Sequence, residues 1–230
     1  MNQILNTQLF GIITIFSFYN IALFIQKKAK KAIFNSLLIC ILLIIVFLKI
    51  TSIPYENFKI GADIINFMLG PVTVVLALPL YRQFHLFKKH LKEILIGILG
   101  GVITSFIIIT IIGKLTLTHD GIIYSILPKS ITTPMGISLV NALGGVEAIT
   151  VVCIIATGIF GNILGEVILK VGNIKHPVSK GIAMGTAAHA MGTSKALEMG
   201  EVEGAMSSLS IGISGVLTVI LVPILISFIG

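Results

Sequence analysis

The side chains able to bind or react gather in two short stretches. "PKSITTP", residues 128–134, sets Lys129, Ser130, Thr132 and Thr133 between Pro128 and Pro134. "GTAAHAMGTSKALE", residues 185–198, carries His189, Thr193, Ser194, Lys195 and Glu198 among glycines that include Gly192. A lysine beside several hydroxyls can hold a small anion, the ammonium supplying charge and the hydroxyls hydrogen bonds. Plainer explanations compete. Either lysine can snorkel to a membrane interface, and Glu198 three residues after Lys195 makes a simple helical ion pair. His189 can be a packing histidine. It can also titrate, since its ordinary pKa of about 6.5 lies near working pH, and could take up a proton together with a carboxylate. No Cys/His ligand cluster, Gly-rich phosphate loop or nucleophile–base spacing is present, so no metal, no cofactor and no enzymatic activity are expected.

These stretches lie in a chain that is 56% hydrophobic and 11% charged, with mean hydropathy +1.08. So much apolar surface requires a bilayer as solvent. Apolar runs near membrane-spanning length occur at 4–25, 33–53, 60–81, 94–113, 146–169 and 204–229. They are continuous rather than alternating, so helices and not a barrel must satisfy the backbone. The formal charge of +7 resides mainly in short loops, which points to topology rather than to nucleic acid. Cys40 and Cys153 sit inside apolar runs, so no disulfide is expected. The first run lacks a basic start and reads as a retained helix rather than a signal peptide.

The basic loops fix a topology. "QKKAKK" (26–31) belongs in the cytoplasm, which places the N-terminus outside. "YRQFHLFKKHLKE" (81–93) is basic again, two crossings later. The segment 119–143 then carries two prolines around its polar centre and cannot be one regular helix. The following loop, "KVGNIKHPVSK" (170–180), has three lysines and no acid. That loop is cytoplasmic only if 119–143 enters and returns on one side as a hairpin. The same reasoning makes 181–203 a hairpin from the cytoplasmic side, its halves reaching about 15 Å, the middle of the bilayer.

An internal repeat supports this. At an offset of 56 positions, "MGISLVNALGGVE" (135–147) falls on "MGTSKALEMGEVE" (191–203), and Lys114 on Lys170. The fold class expected is an all-α polytopic membrane protein with about six transmembrane helices, two re-entrant or broken segments and an inverted repeat. Its single membrane domain, 1–230, has two generic helices (1–58), a broken helix, a helix and the first hairpin (59–145), then a helix, the second hairpin and a last helix (146–230). Broken helices of inverted repeats meet at binding sites of transporters. The substrate-binding set expected is therefore Lys129, Ser130, Thr132, Thr133, His189, Gly192, Thr193, Ser194 and Lys195. Gly70, Pro71, Pro128, Pro134, Gly136, Asn162 and Glu166 are expected to break helices or line the cavity, with packed kinks and helix glue as the plain alternatives.

Four motifs, "LGPVTVVLALPLYRQ" (69–83), "LPKSITTPMG" (127–136), "GIFGNILG" (158–165) and "GTAAHAMGTSKALEMGEVEGA" (185–205), together resemble the LrgB/CidB family of bacterial membrane proteins. The resemblance covers nearly the whole chain and is most specific from Lys180 to Ala205. It implies a protein of the cell membrane. It also implies two functional expectations. One is a transporter of small monocarboxylates or hydroxycarboxylates of the pyruvate, glycolate or glycerate type, similar to the LrgB part of plastidic translocators. The other is a holin- or antiholin-like protein regulating murein hydrolase activity and lysis with a separate small LrgA/CidA-type partner. A pure channel is a third possibility. A homo-oligomer is expected, and no nucleic-acid partner.

Overall fold

The computed structural model describes residues 7–29, 34, 36–68, 71, 75, 81–82 and 84–228, and every regular element among them is helical. The chain divides into two compact units, residues 1–75 and 76–230.

The first unit holds α1 (Gln8–Ala29), α2 (Ser36–Ile50) and α3 (Tyr55–Phe67). α1 and α3 cross in backbone contact, because a Cβ on Gly11 would fall 2.8 Å from the Cα of Gly61. In lipid, where apolar side chains gain nothing by leaving solvent, such close approach of small residues supplies the packing. Phe18 and Phe47 bring α1 and α2 together with ring centroids 5.2 Å apart. Of the proposed break in the third apolar run, Gly70 lies outside the described residues, and Pro71 is exposed.

The second unit contains α4 (Phe84–Lys89), α5 (Leu91–Leu115), α6 (Asp120–Ile126), a 3₁₀ turn (Leu127–Ser130), α7 (Thr133–Leu143), α8 (Glu147–Val171), α9 (Pro177–Met199) and α10 (Glu201–Ile226). Among the described residues, α1, α5, α8 and α10 are long and apolar enough to cross a membrane, and α2 is a shorter apolar helix.

Segment 119–144 folds back on itself. Pro128 lies in the 3₁₀ turn, Ile131 and Thr132 are extended, and Pro134 starts α7, where a missing N–H costs nothing. Gly144, at φ 73°, ends α7. The two ends meet: a Cβ on Gly121 would lie 3.9 Å from the carbonyl oxygen of Gly144. Ser125 Oγ accepts from the Val146 amide at 2.7 Å, and Thr150 Oγ1 donates to the Ser125 carbonyl at 2.8 Å. The segment is a helical hairpin.

α9 is a second hairpin. Its helix breaks at Ala188 (φ −135°) and His189 (φ 42°). α10 serves as a ruler for the two halves. Its residue Glu203 meets Gly181 and Gly200, and Ser207 meets Gly185 through its backbone and Thr193 through a 2.7 Å hydroxyl–hydroxyl bond. Rising positions of the first half thus face the same level as falling positions of the second.

The hairpins enter from opposite ends of α5. Near its start, Gly97 packs on Ile182 and Gly101 on Thr186 of α9. Near its end, Gly113 packs on Ile123 of α6. Two apolar clusters fix these ends: Ile94, Ile98 and Val102 with Val178, Ile182 and Met206, and Phe106 and Ile109 with Ile123, Leu127 and Ile131. The basic end of α4 and the basic loop after α8 lie at one end of the unit, with the rings of His90 and His176 5.9 Å apart. The parity argument required that arrangement. The repeat is visible too: an offset of 56 carries Leu91–Leu115 onto Glu147–Val171, both ends included.

Candidate functional site: a lysine between two hairpin tips

A cavity of about 690 Å³ lies between α5, the tip of the first hairpin and the first half of α9. Its lining runs from His90, Glu93 and His176 to Lys129 and Ser130. The 3₁₀ turn presents these two side chains there because Pro128 denies the backbone a regular helix. Lys129 Nζ donates to Ser130 Oγ at 3.0 Å. None of the ion pairs among the described residues involves Lys129.

Two further hydroxyls face this cavity, Ser105 on α5 and Thr186 on α9. Their oxygens are buried and make no hydrogen bond among the described residues. An unsatisfied buried hydroxyl costs about 1–3 kcal/mol. Among the described residues, a cation with no carboxylate partner and two unpaired hydroxyls make an arrangement able to hold a small anion with hydrogen-bonding oxygens. Sequence reasoning did not single out Ser105 or Thr186. Thr186 stands within the stretch already quoted, but its direction depends on where the helix breaks.

The expected set is only partly brought together. Lys129 and Ser130 line the cavity. Thr132 caps α7, its carbonyl accepting from Gly136 N at 2.8 Å. Thr133 is half-buried and does not line the cavity. Pro134 and Ser194 are exposed, and Pro128 and Gly136 are buried packing positions. His189 is seated on α8, its Nε2 2.9 Å from the Ile154 carbonyl, with its ring against Gly158. Asn162 Nδ2 donates to the Met191 carbonyl at 3.0 Å, and Gly192 lies against the Met184 backbone. Thr193 Oγ1 bonds the His189 carbonyl at 3.0 Å and Ser207 Oγ at 2.7 Å. These groups hold the break in place.

Lys195 is separate from Lys129. The turn is confined to Ala188–His189, so Lys195 lies almost two turns down the return half. There it pairs with Glu166 and Glu198, both at 3.2 Å, while Glu166 also holds Lys170 at 2.8 Å. This cluster lines another pocket, of about 460 Å³, beside the loop that follows α8.

Residues 14–228 match the model of the LrgB-like family. Proteins named antiholin-like protein LrgB from Bacillus cereus (strain B4264) and Bacillus anthracis (strain A0248) are 37% identical over 225 residues, which is 97% of this chain and 98% of each relative. No solved structure matches. A family match over nearly the full length, joined to an all-helical architecture of membrane-spanning helices and two broken ones, assigns this membrane protein to the LrgB-like family.

Proposed function

We propose that the chain is an antiholin-like membrane protein, regulating murein hydrolase activity and lysis with a separately encoded LrgA/CidA-type partner. We further propose that the molecular activity behind that role is the movement of small monocarboxylates or hydroxycarboxylates past Lys129. The relation to proteins named antiholin-like over 97% of the chain supports the first half. The second is favoured by one observation: a lysine with no carboxylate partner among the described residues, at the end of a cavity where Ser105 and Thr186 are likewise unpaired. A pore acting by lateral association alone has no use for such a constellation.

Two measurements test the halves separately. Uptake of labelled pyruvate, glycolate and glycerate into proteoliposomes, with and without the small partner, should exceed that of empty liposomes for at least one anion. Cells lacking the gene should show altered murein hydrolase activity that the wild-type gene restores. Restoration without uptake of any anion leaves the regulatory half and removes the carrier half. α4 and the loop after α8 are proposed to face the cytoplasm. Cysteines at Lys88 and Lys175 should then both be shielded from impermeant reagents in intact cells, and external labelling of either reverses the orientation.

A further inference from the structure

Lys129 borders a second space. A groove of about 390 Å³ follows α8 past Cys153, Thr157, Gly161 and Leu164 and ends at Ala187 and Ala188. Lys129 and Ala187 are the residues it shares with the main cavity. Its position follows from the repeat. The offset of 56 that lays α5 on α8 carries Gly97 onto Cys153 and Gly101 onto Thr157, residues that line the main cavity and the groove respectively. It does the same for Thr104 and Phe160, Ser105 and Gly161, and Ile108 and Leu164. Each repeat therefore builds a space on the same stretch of its long helix, and the two spaces meet at one lysine.

The two spaces differ where access is decided. The main cavity reaches the polar end of the unit through His90 and Glu93. Their counterparts on α8, Val146 and Ile149, do not line the groove, and the Val146 amide is tied to Ser125. Phe160, in place of Thr104, adds bulk along the groove wall. The lining of one space thus runs to its end of the molecule, whereas that of its counterpart stops short of the matching residues.

We propose that the α8 groove is a second anion position, the counterpart of the main cavity in the other repeat, and that Lys129 serves both. A small carboxylate crosses the middle of the protein by changing sides of a single ammonium group. The lysine's long side chain, with Ser130 as its hydrogen-bond partner, can follow the anion. This rests on the carrier reading above.

The chain's own thiols provide the test. Replacing Cys40 with alanine leaves Cys153, on the groove wall, as the only cysteine. The full-length C40A protein is treated with N-ethylmaleimide in glycolate or pyruvate at about four times its dissociation constant, with chloride of equal ionic strength as reference. At least one carboxylate should slow alkylation about fivefold, the value for four-fifths occupancy of one site. Lys129→Gln should remove that protection, judged by the ratio of rates within each variant. Complete alkylation of Cys153, or Thr157→Phe, should abolish uptake into proteoliposomes while the anion still binds the main cavity. Uptake by the C40A/C153A protein, whatever its level, should be the same with and without the reagent. Binding without protection, or unchanged uptake after both ways of filling the groove, overturns the second position and leaves the carrier reading standing. If neither anion binds the unmodified protein, both fall together.

Discussion

The two hairpins occupy equivalent places in the repeat and interrupt their helices by different means. The first uses proline: Pro128 and Pro134 bracket a 3₁₀ turn with extended Ile131 and Thr132. Its tip carries Lys129, which is paired to no carboxylate among the described residues. The second has no proline at its break. It bends at Ala188 and His189, and His189 holds a positive φ of 42° while its ring is bound to the Ile154 carbonyl. Its lysine, Lys195, is engaged by two glutamates. Prolines build a break locally and leave the tip side chains free. A break built from an ordinary residue uses up its side chain as an anchor. Polar character inside a membrane therefore marks a site only where it is left unpaired.

This contrast can be broken at several points. The largest effect should come from Gly185→Leu. A Cβ there collides with the backbone of Ser207, whereas one on Gly100 meets nothing within 4 Å. Forced overpacking against backbone should exceed about 3 kcal/mol. G185L should fail to give a monodisperse protein in detergent, and G100L should melt within a few degrees of wild type.

Next comes the lysine pair. Lys129→Gln should lower carboxylate uptake about tenfold or more, the scale of one lost charge-assisted contact of roughly 1.5–3 kcal/mol. Lys195→Gln should change uptake by less than about twofold, because a half-exposed ion pair contributes at most about 1 kcal/mol. Equal losses would place the two lysines on one pathway after all.

A smaller effect separates the roles of His189. His189→Ala loses the bond to Ile154 and keeps the left-handed backbone, and should lower the thermal stability measurably. His189→Gly loses the same bond but relaxes the backbone, and should recover about 1 kcal/mol of that loss. A glycine variant less stable than the alanine one would show that the φ of 42° carries no cost. The smallest expected change in stability belongs to Thr186→Val. Removing an unpaired hydroxyl for an isosteric methyl should leave the melting temperature equal or slightly higher. Anion binding should nonetheless weaken several-fold, and unchanged binding would remove Thr186 from the site.

Much of this was legible in the sequence. The prolines at 128 and 134 announce the first hairpin, and the lysines of loop 170–180 require it to return. The 56-residue offset, read from scattered Met, Gly and Glu matches, reappears as identical helix limits in α5 and α8. What could not be read was direction around a helix axis. At about 100° per residue, moving the break from the middle of 181–203 to Ala188–His189 turns Lys195 away from the tip and toward Glu166. His189 was legible as a polar residue at a tip. Only the packing of α9 on Gly158 and Ile154 decides that it faces α8. The unpaired state of Ser105 and Thr186 is equally a property of three packed elements, and no local pattern announces it.

The close seat of the second hairpin on α10 also sets an order of assembly. Gly181 and Gly185 admit the α10 backbone at Glu203 and Ser207, and Thr193 shares its hydroxyl bond with Ser207. Each half of the hairpin is too short to cross a bilayer, and neither can satisfy its exposed polar groups in lipid alone. During synthesis the hairpin emerges before the helix that receives it. It must wait at the membrane surface or in the insertion machinery until α10 arrives, and the cavity that holds Lys129 closes on its α9 side only then. Completion of the Lys129 cavity is thus a late step that depends on the last helix made, and a ribosome stalled before α10 would leave a chain whose earlier long helices are inserted but whose cavity is unfinished.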